Sequence, residues 1–189
     1  DIQYADRDGS GKIDNGSNTI DDHGDLYIIT NQAPRYFFGF NFNVQYKNLW
    51  LSTFFQGIAK RDYWPRPSSN GMFWPFTRNG NALKRGITDS WREDNRDAYF
   101  YMVTRVPNKN QKPQTRFMQD ASYIRCKNIT LGYTLPKISF INEIQVYLSG
   151  QNLFEFSGID ECLDPEQISS YMAQYPFQRT YSLGVNVSF

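Results

Sequence analysis

At 189 residues, with 40% hydrophobic and 17% aromatic content, the chain can bury a sizeable core, which excludes an intrinsically disordered segment. Its formal net charge is +1 and no block of Lys and Arg appears, which excludes a nucleic-acid surface built on counterion release. No run approaches the roughly 18 apolar residues of a membrane helix, so any membrane role has to use strands. Cys126 and Cys162 are too few and too far apart for a disulfide framework or a zinc site, and both are expected to be free.

The chain opens abruptly at DIQYADRDG, so an export signal is expected on residues not present here, the other reading being a cytosolic protein. Its first motif, DRDGSGKID, has the spacing of a calcium loop: Asp6, Asp8 and Ser10 stand at the first, third and fifth positions. Gly11 supplies the sharp turn, Lys12 would offer its carbonyl, and Asp14 falls at the ninth position. Ser17 stands where the bidentate carboxylate belongs, so weak binding is expected unless Asp21 or Asp22 folds back. An ordinary Asp-Gly turn without metal accounts for the same residues. His23 has no Ser or Cys partner at a recognisable spacing and the carboxylates are scattered, so no enzyme chemistry is expected.

Period-two alternation begins at Tyr36. In RYFFGFNFNVQYK, Phe38, Phe40, Phe42, Val44 and Tyr46 share one face, while Gly39, Asn41, Asn43 and Gln45 share the other. LWLSTFFQGIA follows almost at once, near Lys47 and Asn48. SYIRCKNITLGYTLP and NEIQVYLSGQNLF alternate likewise, joined by the short PKISFIN. The closing strand, RTYSLGVNVSF, sets Tyr181, Leu183, Val185, Val187 and Phe189 against Ser182, Gly184, Asn186 and Ser188.

Short connections therefore alternate with long ones, 61–115 and 155–178, all leaving the same end of the sheet. A soluble β-sandwich permits the alternation. Short turns at one end, long loops at the other and strands that cover an apolar band of about 25 Å are what an outer-membrane barrel shows. Five strands cannot close a barrel, so the chain is expected to be a piece of something larger. Within the first long loop, Tyr63, Trp64, Phe73, Trp74, Phe76 and Trp91 could stack on sugars or on a partner, or simply pack the loop.

The blocks APRYFFGFNFNVQYKNLWLSTFFQGIAKRDYWP, DASYIRCKNITLGYTLPK, IQVYLSGQNLFEF, GIDECLDPE and YPFQRTYSLGVNVSF resemble, in order and spacing, the C-terminal part of SusC/RagA-type TonB-dependent outer-membrane transporters. DSWREDNRDAYFYMV resembles the family more loosely. The resemblance implies an all-β fold: the last five or so antiparallel strands of a transmembrane barrel of about 22 strands. It divides the chain into an extracellular loop (1–34), a hairpin (35–60), an extracellular loop (61–115), a hairpin (116–154), an extracellular loop (155–178) and the final strand (179–189), with periplasmic turns between.

What the resemblance implies for function is import of glycans or peptides, with the rest of the transporter, a SusD-like lipoprotein lid, the TonB complex and surrounding lipid as partners. It requires no cofactor and leaves a structural calcium at Asp6, Asp8, Ser10, Lys12 and Asp14 as the one candidate. Tyr63, Trp64, Trp74 and Trp91 become candidate contacts to substrate or lid. Tyr181, Leu183, Val185 and Val187 would face lipid and, with Phe189 at the periplasmic interface, serve as the signal read by the barrel-assembly machinery. The rival is a secreted, soluble β-sandwich that binds carbohydrate through its aromatic loops.

Overall fold

The computed structural model describes residues 2–68, 73–75, 83–104, 110–137, 140–168 and 177–189. The chain forms two compact units, one of residues 33–62, 120–169 and 174–189, the other of residues 1–32, 63–119 and 170–173. In chain order the strands are β1 (Tyr36–Tyr46), β2 (Leu49–Ala59), β3 (Asp62–Tyr63), β4 (Gln119–Asp120), β5 (Tyr123–Leu135), β6 (Glu143–Gln151), β7 (Glu155–Ser157) and β8 (Thr180–Ser188).

The first unit is an antiparallel sheet in the order β1-β2-β5-β6-β8. All five strands lie where the alternating residues placed them. Tyr46 pairs with Leu49, so Lys47 and Asn48 make a two-residue turn, and Lys47 takes a φ of 53° to close it. A bulge in the β2–β5 register lies between Phe54 and Phe55, which face Asn128 and Cys126, leaving Lys127 as the extra residue.

One difference from the sequence reading lies at the end of β6. Asn152 adopts a φ of 51°, its N–H donates to the Lys127 carbonyl, and the chain resumes as β7, opposite Tyr123 to Arg125. Residues 155–157, read as the start of a loop, thus extend the sheet. The cause is length: β5 has 13 residues and β6 only 9, so the first residues of β5 need another partner.

The register carries the alternation across every strand. Val44, Leu51, Leu131, Leu148 and Leu183 form one row of directly opposed residues, and Tyr46, Leu49, Tyr133, Val146 and Val185 form the next. On the other face Asn43, Ser52, Thr130, Ser149 and Ser182 line up. The sheet therefore has one continuous apolar face and one continuous polar face, and apolar residues such as Phe42, Leu148 and Leu183 are exposed. Among the described residues no second sheet of comparable size exists for a sandwich partner, the only other sheet being the pair β3 and β4.

Aromatic rings on the polar face lie over glycines of neighbouring strands. A Cβ on Gly132 would collide with the Trp50 indole, and one on Gly184 with the Tyr147 ring. These glycines leave the pleat open so that the rings can lie flat against the wall.

The second unit contains the first long connection, and it has a core of its own. Trp64, Phe73, Trp74, Phe100, Tyr101 and Phe117 are all buried. Trp74 packs edge-on against Phe117, ring centroids 5.0 Å apart, and stacks with Tyr101 at 6.1 Å. Its indole N–H donates to the Pro65 carbonyl at 2.8 Å, so the one polar atom of the ring is satisfied. A short helix, α1 (Lys84–Thr88), and a 3-10 turn (Thr115–Phe117) flank this cluster. Phe76 lies outside the described residues.

The glycine contacts make a testable claim. Gly184→Val forces the Tyr147 ring off the wall and should lower the unfolding free energy of the full-length protein by about 1–3 kcal/mol, an overpacking cost. Adding Tyr147→Ala should recover part of that loss in the same urea titration; a double variant no better than Gly184→Val would refute the pairing.

Candidate functional site

Three groups of residues carry the chemistry, two of them offered by the sequence, and the acidic loop comes first. Asp6 accepts from the N–H groups of Gly9 and Gly11, both at 2.8 Å, and Asp8 accepts from Ser10 N–H at 2.9 Å. Gly9 and Gly11 hold φ values of 72° and 79°, a conformation that lets successive amides turn inward. The loop brings Asp6 and Asp8 together with Asp25, their ligand oxygens lying within 4.8 Å of one another. That spacing fits oxygens around one calcium, each at about 2.3–2.6 Å from the ion.

Asp25, and neither Asp21 nor Asp22, is the carboxylate that folds back. Asp22 is taken up by the backbone N–H and hydroxyl of Ser17, and Asp14 by the N–H of Gly16. The Ser10 hydroxyl donates to the Lys12 carbonyl at 3.0 Å. Asp25 lies eleven residues past Asp14, outside the span of a twelve-residue loop, so the motif spacing gave no reason to choose it. The N–H groups of Arg7 and Asp14 both point at its carboxylate, and these hydrogen bonds, that of Arg7 first, hold its pKa below the ordinary value. The Ser17 hydroxyl and then its N–H lower that of Asp22 in the same way.

The aromatic residues of the long connection come second. Tyr63, Trp64 and Trp74 are 8%, 5% and 0% exposed, so their rings are packed inward and are not presented to a ligand. The physical reason is that large rings gain more by burying against one another than by standing in water. Trp91, 37% exposed, is the one that remains accessible. It borders a cavity of about 160 Å³ together with Phe100, Phe117, Arg96, Arg116 and Gln114. Burial pushes the Tyr101 hydroxyl beside this cavity up to about 12, so it stays protonated, accepting from the Gln111 amide at 2.7 Å.

The third group was not singled out from the sequence. Arg125 projects from β5 on the polar face, opposite Gln56. Its side chain is 2% exposed and meets Asp164 at 3.0 Å, Glu166 at 3.3 Å and Glu155 at 3.6 Å. Lys127 reaches Glu166 at 3.0 Å. The Phe177 ring lies 5.1 Å from the Arg125 guanidinium and 4.6 Å from the Lys127 ammonium. In the sequence these carboxylates looked scattered because their shared partner sits some 40 residues earlier. Tyr181, Leu183, Val185 and Val187 all lie on the apolar face and are exposed, as is Phe189. Cys126 is buried and Cys162 half-buried, and neither forms a disulfide.

Against known proteins, no family model matches the chain. It is 28% identical over 98% of its length to TonB-dependent receptor P3 of Formosa agariphila and 30% identical over 92% to receptor P26 of the same organism. It is likewise 28% identical over 98% of its length to the TonB-dependent receptor SusC of Bacteroides thetaiotaomicron. These matches cover 19%, 20% and 17% of the relatives, so the chain spans about a fifth of their length. Among solved structures it resembles the RagAB peptide importer in the open-open state, with a TM-score of 0.59 and 26% identity over 90% of this chain and 19% of the other. A second structure of the RagAB peptide transporter aligns with the same TM-score and 28% identity over 86% of this chain and 18% of that one.

The lowered carboxylates of the acidic loop fix how its order depends on pH. A folded-state pKa below the unfolded value near 3.8 stabilises the loop at every pH above that value, and the contribution is lost as pH falls through the lowered one. The protection of amides in residues 6–25 against hydrogen exchange, relative to the intrinsic rate at each pH, should be equal at pH 7 and pH 5 and fall below about pH 3.8. Asp25→Asn should show fast exchange already at pH 7; slow exchange in that variant would refute the role of Asp25.

Proposed function

We propose, on the premise that this chain belongs to the TonB-dependent outer-membrane receptors of the SusC and RagA type, that it supplies five strands of the wall of an importer. The observation that carries this reading is the pair of unbroken faces. The apolar rows, from Phe42 and Val44 across to Leu183 and Val185, face lipid; the rows of Asn, Ser and Thr face a water-filled lumen. Strands of 9 to 13 residues rising about 3.3 Å per residue cover the apolar band when tilted. The two-residue turn at Lys47 and the connection 136–142 lie at the periplasmic end, and the long connections lie outside the cell.

The imported solute is a glycan or a peptide, driven by TonB through parts of the protein outside this sequence, with a SusD-like lipoprotein as the lid. The description of RagAB as a peptide importer supports import as the activity. Of the described aromatic residues first considered for contact with substrate or lid, Trp91 is the one presented for it.

Two measurements test the proposal. Phe42→Lys in the full-length receptor places an ammonium on the lipid face and should cost about 2–4 kcal/mol of folding free energy in bilayers, while Asn43→Lys on the lumenal face is tolerated. Equal losses would show that the two faces are not lipid and lumen.

The second concerns the acidic loop, which we read as a structural calcium site formed by Asp6, Asp8 and Asp25 with the Lys12 carbonyl, ordering the loop without taking part in transport chemistry. Extracellular sites of this kind bind at about 0.1–1 mM. Protease cleavage near Gly11 of the intact receptor should slow several-fold between chelator and 5 mM calcium, with magnesium ineffective. Cleavage indifferent to calcium would leave an Asp-Gly turn without metal.

A further inference from the structure

The segment entering at Glu155 and returning at Phe177 is the most acidic stretch of the sheet unit. Residues 155–168 carry Glu155, Asp160, Glu161, Asp164 and Glu166 and no Lys or Arg. The polar face beneath it is almost uncharged, its rows being built from Asn, Gln, Ser, Thr and aromatic residues. Arg125 and Lys127 are the cations at the end of β5, and the acidic segment sits on them. Glu155 engages Arg125 at the start of the segment, Asp164 and Glu166 in its middle, and Phe177 covers both cations where it ends.

Within residues 158–168 the chain is folded tightly on itself. Asp160 accepts from the N–H of Cys162, Asp164 from that of Glu166, and Leu163 and Ile168 are buried. The segment therefore moves as one piece or stays. An arginine with a 2% exposed side chain and three carboxylates around it has no half-open arrangement of low energy, because removing some partners leaves buried charge uncompensated. Full withdrawal of Asp164 and Glu166 returns them and the two cations to water, Glu155 staying on the sheet with β7. Such a contact has two states.

We propose that residues 158–168, which leave the sheet after β7, form a strap latched across the outer end of the polar wall by Arg125, and that release of this latch uncovers Arg125 and Lys127 to the lumen. The inference rests on the reading of the polar face as lumenal and goes beyond it: the strap is a movable part of the import path. Arg125 is its positioning residue, and Lys127 with Phe177 strengthens the hold. In the closed arrangement the strap carboxylates occupy the two wall cations, so an arriving solute meets a neutral surface there. In the open arrangement it meets two cations beside an aromatic ring.

Cys162 lies in the strap and reports its position without any new side chain. In the full-length receptor in native outer membranes, with Cys126 and any cysteine outside these 189 residues replaced by Ser, a membrane-impermeant maleimide should modify Cys162 slowly. Arg125→Met, and separately the double variant Asp164→Asn with Glu166→Gln, should speed modification by about tenfold or more, as expected of a locally opened segment. The folded-barrel band in unheated gels should be retained in both. An unchanged rate in a variant that keeps this band overturns the latch. Loss of the band in both variants also overturns it, because the cluster then belongs to the fold and holds no separately movable strap. Should Arg125→Met alone lose the band, the double variant decides by the same rate. A wild-type receptor lacking the folded band is a different failure, that of the barrel reading.

Discussion

A pleated strand sends successive side chains to opposite sides, and in this chain the pairing never slips out of phase along the rows that join β1 to β8. Everything else depends on that constraint. A one-residue slip between any two strands would put Leu148 or Leu183 among serines and Asn43 among leucines. The chain holds phase with tight turns, opposed apolar pairs and rings seated over glycines. The single irregularity, at Phe54 and Phe55, lies close to the end where the long connections begin. There it gives Lys127 room to turn onto the side where Arg125 stands, so the ion cluster is a product of the same register.

The two long connections use opposite chemistry to become ordered. The first buries rings against rings, with Trp74 completely enclosed and its N–H satisfied. The second is held by charge, three carboxylates on one guanidinium, with a ring laid over the cations. Aromatic packing tolerates no gradual loosening, because each ring supports several others. The ion cluster also loosens only as a whole, for a different reason, because losing some of its partners strands buried charge; Glu155, the most exposed of the three acids, marks its wet edge.

How much of this was legible in the sequence depends on the range of the interaction. Strand positions were readable because alternation is a property of neighbours, and β1, β2, β5 and β8 fall where the pattern put them. The break at Asn152 was not, since it arises from the unequal lengths of β5 and β6 and from the bulge that β5 itself carries at Lys127. The acidic motif disclosed Asp6 and Asp8 through local spacing, whereas Asp25 joins them through a chain reversal that no spacing rule contains. Tyr63, Trp64 and Trp74 looked like contact residues because composition cannot distinguish a ring that faces outward from one that packs inward. Arg125 was silent for the same reason: its partners lie 30 to 41 positions away.

The aromatic core of the first connection also bears on how the sheet can form at all. Hairpins such as β1–β2 close over two residues and need microseconds, but β2 can meet β5 only after the chain between Asp62 and Gln119 has been gathered. A flexible stretch of that length makes the encounter entropically slow. When Trp64, Trp74, Phe100 and Phe117 collapse together first, they shorten the loose chain to the few residues outside the cluster. The search for the β2–β5 register then becomes a nearly local event, and a weakened cluster would reveal itself as slow sheet assembly before it showed as lost stability.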